Sequence, residues 1–442
     1  MIRRPKRLEE GEGFYDLKAQ RAVLNFEGGP DYSYLLSLCG IEGCASAPAE
    51  GETLTLRVGK GGGVVPDDPS EEAFAIEIAD GITVAANTHK GISQGLKFLA
   101  ALVRETGGRL PRLKLWDSPD VSFRGTHICI FPENDGTEKE DTRVEAVKNT
   151  LLAAALSGYN FVFMEFWGTF PYRRHPYAQW SGCEYTREVV EKLISYCIDD
   201  LHITPLPCQN LTSHAGWSRI ASRRHVVLDQ RPDLYDMWIP GGWCFATENP
   251  DTKAFLRDVI DDLWETYRHP PIIHVSTDKC FGFGSSEQDR TKPADALFAT
   301  HVCNLNSYIQ SKGSRMMMWA DMLYSSMDAL YWKAGPSVVE SLPRNILINV
   351  WTHNDVGEYW ADIDFFEKRG FETVYSPFIN AKGARSMVKL CKNKGSLGIL
   401  QTTWHRPQST LPTVLATGGM LWGESEPDLE NAKAQLEIWK LR

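Results

Sequence analysis

Nowhere in the 442 residues does an unbroken apolar run approach the roughly 18 residues that would mark a membrane helix. The N-terminal Met1-Ile-Arg-Arg-Pro-Lys-Arg7 is charged, but it runs into Leu8-Glu-Glu-Gly-Glu12 and lacks the apolar stretch of a leader. Neither a signal peptide nor a membrane span is expected. Closely spaced cysteines are also missing: the ten, at 39, 44, 129, 183, 197, 208, 244, 280, 303 and 391, form no C-x-x-C pair. Several lie inside apolar runs, where a free buried thiol is normal, so a reducing cytoplasm is the expected location. An excess of basic charge is absent as well. With 47 basic and 57 acidic residues the net charge is −10, which gives no general attraction to nucleic acid or anionic membrane and leaves neutral partners as the best fit.

What is present is a hydrophobic content of 43%, enough to fill a large core, and an aromatic share that includes 14 tryptophans and 15 tyrosines. Residues 1–115 read as a small α+β domain. Within them Thr53–Val58 and Phe74–Ile78 alternate as half-buried strands, Gly81–Val84 is a third, and Ile92, Leu96, Leu99 and Val103 fall at helical spacing. The Gly/Pro/Asp-rich segment 59–70 suits a solvent loop. Its Gly61-Gly-Gly63 lacks the following Lys-Ser/Thr of a phosphate cradle.

From Phe123 on, strand-like and helix-like segments alternate. Strands are expected at Thr126–Phe131, Phe161–Phe166, Ile203–Cys208, Ile272–Ser276, Met316–Trp319, Ile346–Trp351, Thr373–Phe378 and Leu397–Thr402. Amphipathic helices fall between them, among them Lys253–Tyr267, Ala294–Ser311, Ala381–Cys391 and Leu411–Trp422. Eight such repeats over residues 116–442 match a (β/α)8 TIM barrel, with a doubly wound open sheet as the alternative.

A barrel of this type carries its chemistry at the C-terminal strand ends. Here those ends are polar and aromatic: Glu165 and Trp167, His214, Asp278 and Lys279, Trp319 and Asp321, Trp351 and His353, then Trp404, His405 and Arg406. Tryptophan faces and carboxylates around one rim suit a sugar, whose ring offers C–H faces for stacking and hydroxyls for charged hydrogen bonds. His274 reads as a hydrogen-bonded core histidine and Arg223-Arg224-His225 as a solvated face. His353 and His405 have no His or Cys at ligand spacing, so no metal and no cofactor is expected.

Several segments together resemble the glycoside hydrolase family 20 β-N-acetylhexosaminidases. They are Asp117-Ser-Pro-Asp-Val-Ser-Phe-Arg-Gly125, Gly158 to Tyr172, Ser213-His-Ala-Gly-Trp217, Met318-Trp-Ala-Asp-Met322 and Thr403-Trp-His-Arg406, with Phe74 to Val103 resembling the family's preceding small domain. The family signature His-Ile-Gly-Gly-Asp-Glu aligns with His274-Val-Ser-Thr-Asp278-Lys279, so the glutamate is replaced by lysine. The resemblance implies exo action on a terminal β-linked N-acetylhexosamine, GlcNAc or GalNAc, in which the substrate's own 2-acetamido group attacks the anomeric carbon. It implies that Asp278 orients that group, that Arg124 grips the sugar hydroxyls, and that Trp319, Trp351 and Trp404 wall the pocket. Asp321 is expected to be a further hydroxyl contact.

Three readings of Lys279 stay open. In one, another group donates the proton, Glu165 first and His214 second. In another, the Lys279 ammonium reads an anionic sugar. In the last, the barrel binds carbohydrate without turnover. A small-molecule or oligosaccharide substrate is expected in each; the oligomeric state is not legible.

Overall fold

Alternating burial along Leu54–Val58 and Phe74–Ile78 gives each of these strands one apolar face, and those faces form one side of a sheet. A computed structural model describes residues 3–17, 22–25, 28–41, 44–45, 54–59, 68–130, 140–180, 184–216, 225–323, 334–404 and 407–441. The loop at Gly61, Trp217, Arg223, Arg224, His405 and Arg406 lie outside the described residues. Seven strands, β1 (Arg7–Asp16), β2 (Ala22–Asn25), β3 (Cys44–Ala45), β4 (Leu54–Val58), β5 (Phe74–Ile78), β6 (Ile82–Ala86) and β7 (Arg109–Asp117), are ordered β1-β7-β5-β6-β4-β2-β3. The sheet therefore runs to Asp117, two residues past the expected boundary at 115.

Helix α1 (Ser33–Leu38) packs on α2 (His89–Thr106), which lies against the sheet. Thr88 starts α2 by accepting N–H bonds from Lys90 and Gly91, and Gly107 at φ 64° ends it in the left-handed turn that glycine adopts freely.

The eight expected barrel strands are all present: β8 (Phe123–Ile130), β9 (Phe161–Phe166), β10 (Thr204–Cys208), β11 (Ile272–His274), β12 (Arg315–Trp319), β13 (Leu347–Trp351), β14 (Thr373–Ser376) and β15 (Gly398–Gln401). They are parallel and close into a barrel, β15 pairing with β8. One helix follows each in turn: α3 (Glu140–Leu156), α4 (Arg187–Ser195, extended by a π-helical turn, Tyr196–Asp200), α5 (Pro250–Thr266), α6 (Ala294–Ser311), α7 (Pro336–Ser341), α8 (Ala361–Glu367), α9 (Ala381–Lys394) and α10 (Pro407–Leu421). A further helix, α11 (Leu429–Trp439), packs on α10 and α2. This is a TIM barrel preceded by a mixed-sheet domain.

Inside the barrel Phe123, Phe163, Leu206, Met317, Val374 and Leu400 form an apolar plug. Above it the inward residues turn polar, which places the chemistry at the C-terminal mouth. At the other end, Arg3 and Asp117 form a buried 2.9 Å ion pair, and the Arg3 guanidinium lies 3.9 Å from the Trp422 ring centroid. An open cleft of about 1620 Å³ between the small domain and the strand starts is lined by Glu72, Ser93, Phe123, Asn160, Ile272 and Leu397, and is remote from that mouth. No helix among the described residues is long and apolar enough to cross a membrane.

Candidate active site

Strand β11 stops at His274, and the chain then bends through a run of left-handed backbone: Ser276 at φ 60°, Thr277 at 74° and Lys279 at 50°. Glycine holds such angles without penalty; β-branched threonine does so only when its surroundings enforce it. Here the enforcement is visible. Val275 N–H bonds Met317 C=O (2.9 Å), Trp319 N–H bonds Ser276 C=O (2.9 Å), and the Ser213 hydroxyl donates to the Asp278 carbonyl. The positions matching the Gly-Gly of the expected signature thus keep a glycine-like path with other residues in it. His214 (48°) and Trp404 (45°), at two other strand ends, share this conformation.

The bend presents Asp278, which is 4% exposed. Its Oδ2 lies 3.0 Å from Lys279 Nζ and 3.3 Å from His214 Nε2, while Oδ1 is buried with no partner among the described residues. Burial alone would raise this carboxyl, but the Lys279 ammonium and His214 hold it well below the usual carboxylate range. Lys279 Nζ sits 5.0 Å from the Trp351 ring centroid. The Lys279 carbonyl accepts from Trp243 Nε1 (2.6 Å), and its N–H donates to Asp321 Oδ2 (3.2 Å). Asp321 Oδ1 accepts from Trp351 Nε1 (3.3 Å). Burial first, and the Asp278 charge second, push Asp321 upward. Two carboxyl groups in one site are thereby driven apart.

Below this rim lies a buried polar layer. Ser276 N–H donates to His274 Nδ1 (3.0 Å), His274 Nε2 lies 3.4 Å from Asn349 Nδ2, and the Ser376 hydroxyl donates to Asn349 Oδ1 (2.5 Å). Burial pushes His274 down to about 3, so it is the neutral, hydrogen-bonded core histidine expected. Glu165, 2% exposed, is held at 2.9 Å by His127 Nε2. Trp319 and Trp404 lie 5.5 Å apart, centroid to centroid, with His127 5.0 Å from Trp404.

His127, Glu165 and Cys208 bring possible metal-ligand atoms within 4.8 Å of one another, on adjacent strands. Burial and the Glu165 charge raise the Cys208 thiol well above its usual value.

Of the expected site residues, Asp278, Lys279, His214, Asp321 and Trp351 come together directly, and Trp319, Trp404 and Glu165 line the adjoining interior. Arg124 does not join them, which corrects the expectation that it grips sugar hydroxyls. It is the second residue of β8, at the opposite end of the barrel, and is fully buried. Its guanidinium donates to the carbonyls of Gly158 (2.8 Å), Val121 (2.8 Å) and Ser122 (3.1 Å) and to Glu72 Oε1 (2.6 Å). Glu165 is held instead by His127, below the rim.

His127, Asn349 and Trp243 went unread in the sequence. The first two stand on inward positions of strands rather than at their ends. Strand alternation from Phe123 through Gly125 reaches His127, and this was the available signal.

Fold and site together define a barrel protein of the carbohydrate-processing class. Residues 142–435 match the family model described as glycosyl hydrolase family 20, catalytic domain, and the chain belongs to that family. A comparison with curated proteins returns no match. Among solved structures, a β-N-acetylhexosaminidase from Bacteroides fragilis superposes with a TM-score of 0.73 at 17% identity, over 99% of this chain and 94% of that one. The Flavobacterium johnsoniae chitobiase gives 0.72 at 17%, over 99% and 72%. The exo-β-N-acetylglucosaminidase of Vibrio harveyi, in complex with N-acetylglucosamine, gives 0.72 at 12%, over 100% and 77%. At these identities the similarity is one of fold.

Proposed function

We propose that the protein is an exo-acting hydrolase of terminal β-linked N-acetylhexosamine, working through attack of the substrate's own acetamido oxygen on the anomeric carbon with retention. The observation that carries this reading is Asp278: one oxygen is fixed by Lys279 and His214, and the other is a buried acceptor without a partner among the described residues. An unmatched, buried carboxylate oxygen is costly until a donor reaches it, and a substrate amide N–H is such a donor. Trp319, Trp351 and Trp404 supply faces for the ring and the acetamido methyl. The proton donor is non-standard in this reading, with Glu165 and His214 as its candidates.

The 3.0 Å Lys279–Asp278 pair favours one alternative, a sugar-binding barrel without turnover. Kinetics on aryl β-N-acetylhexosaminides and a matching natural disaccharide decide between them. Hydrolysis by the wild type, reduced in Asp278→Asn by roughly 10²-fold or more, is the expected result. A silent wild type, with activity gained in Lys279→Glu and abolished by adding Asp278→Asn, would establish the binding protein. Loss of disaccharide cleavage in Glu165→Gln would identify Glu165 as the donor.

A further inference from the structure

Beside Asp278, at the position of the glutamate in the family signature, the site holds a cation. Lys279 follows Asp278 directly, its side chain is 36% exposed towards the mouth, and its Nζ is fixed between Asp278 Oδ2 (3.0 Å) and the face of Trp351 (5.0 Å to the centroid). The carboxyl groups nearby are committed elsewhere. Asp278 is ion-paired, both Asp321 oxygens accept protein N–H groups, and Glu165 is bonded to His127 inside the barrel.

A sugar alkoxide is a strong base and departs slowly unless it is protonated. A phosphate oxygen is a far weaker base and needs no proton, only neutralisation of the charge it takes away. A lysine ammonium, a compact point charge and common phosphate ligand, supplies that.

We infer that this site is built to break or form the bond between C1 of a β-linked N-acetylhexosamine and a phosphate oxygen, with Lys279 neutralising the phosphate. The inference rests on the reading of Asp278 given above and names the leaving group for it. In the first step the acetamido oxygen bonds to C1. The C1–O bond of the sugar phosphate monoanion breaks, and its electron pair leaves with hydrogen phosphate. The resulting oxazolinium keeps its N–H on Asp278 Oδ1. Water then attacks C1, the ring C1–O electrons return to the acetamido oxygen, and the water proton goes to hydrogen phosphate, giving free sugar and dihydrogen phosphate. If free phosphate attacks in place of water, the sugar 1-phosphate forms instead.

The test uses three substrates with the wild type, Lys279→Met, Lys279→Arg, Lys279→Glu and Asp278→Asn: β-N-acetylhexosaminyl 1-phosphate in its gluco and galacto forms, the matching 2,4-dinitrophenyl glycoside, and the methyl glycoside. Circular dichroism melts establish that each variant is folded. The wild type is expected to release phosphate from the β-1-phosphate with a kcat/KM at least about 100-fold above that for the methyl glycoside. Lys279→Met is expected to lose about 100-fold on the phosphate but little on the dinitrophenyl glycoside, with Lys279→Arg in between. Lys279→Glu should reverse the preference.

Sugar 1-phosphate made from the dinitrophenyl glycoside in phosphate buffer would identify free phosphate as the acceptor; its absence, with phosphate release intact, would identify water. Cleavage of the dinitrophenyl glycoside without cleavage of the phosphate, or phosphate release indifferent to Lys279→Met, would overturn this inference and leave the hydrolase reading standing. Full activity in Asp278→Asn would overturn both.

Discussion

An arginine with no exposed surface is tolerable only when its N–H groups find acceptors, and Arg124 finds three carbonyls and the Glu72 carboxylate. Glu72 in turn takes N–H bonds from Gln94 and Asn160, tying the small domain to the starts of the first two barrel strands. Removing one member leaves a buried charge unpaired, which costs on the order of 3–5 kcal/mol, whereas removing both costs less than the sum. Urea unfolding of Arg124→Met, Glu72→Gln and the double variant is expected to show that pattern, with KM for any substrate unchanged in variants that fold. A KM raised by Arg124→Met at unaltered stability would return Arg124 to the substrate site. The resemblance read Arg124 as a substrate contact because it stands in a strand-entry motif. Its position at the N-terminal end of that strand decides otherwise. Asp278 and Lys279 were legible because they break an apolar run at the end where barrels carry chemistry, but the pairing of Glu165 with His127 was not, since it depends on which inward positions of neighbouring strands share a level.

At the scale of elements, the barrel strands could be read in number and order, with β8 starting at Phe123 rather than Thr126 and β11 ending at His274 rather than Ser276, because most are short runs buried on both faces. The edge strand β1 could not: its sequence, Arg-Leu-Glu-Glu-Gly-Glu-Gly-Phe-Tyr-Asp, is nearly all exposed and pairs with β7 through its backbone, leaving no apolar alternation to find. Helix α2 was legible from its apolar spacing, although how closely it approaches the sheet was not. A Cβ on Gly91 would meet the Ala73 carbonyl oxygen at 2.4 Å and the Ala86 methyl at 2.6 Å, and one on Gly95 would meet Val84 at 2.5 Å. In an exposed helix Gly→Ala gains about 1 kcal/mol. Here backbone would have to move, and overpacking of this kind costs about 1–3 kcal/mol. Gly91→Ala is therefore expected to lower the unfolding midpoint, and a rise would mean that helix and sheet are less tightly apposed than the distances require.

For the molecule as a whole, buried titratable groups confine stability to a window of pH. Burial lowers His202, His225 and His301 to about 4 and His274 to about 3. Unfolded histidine titrates near 6.5, so below that pH the unfolded chain takes up protons that the fold refuses. Stability from these groups is complete above about pH 6.5 and is lost as pH falls towards 4, by up to roughly 3 kcal/mol per fully buried histidine. Burial also raises the thiols of Cys39, Cys129, Cys197, Cys208, Cys280 and Cys391, the last to about 12. An unfolded thiol ionises near 8.5, so above that pH the unfolded chain releases protons that the fold retains, and stability falls again. Lys97, fully buried and lowered to about 7, opposes this second decline, because the unfolded amine stays charged to about 10.4. One amine against six thiols does not reverse the slope. Urea unfolding under reducing conditions is expected to give its highest midpoint between about pH 6.5 and 8.5, with losses of several kcal/mol at about pH 5 and pH 10. Lys97→Met should raise stability most at pH 6, where the fold must bury the charged amine, and steepen the alkaline decline. A midpoint unchanged between pH 5 and 7.5 would mean that the buried histidines accept protons without unfolding, through openings the packed barrel does not show.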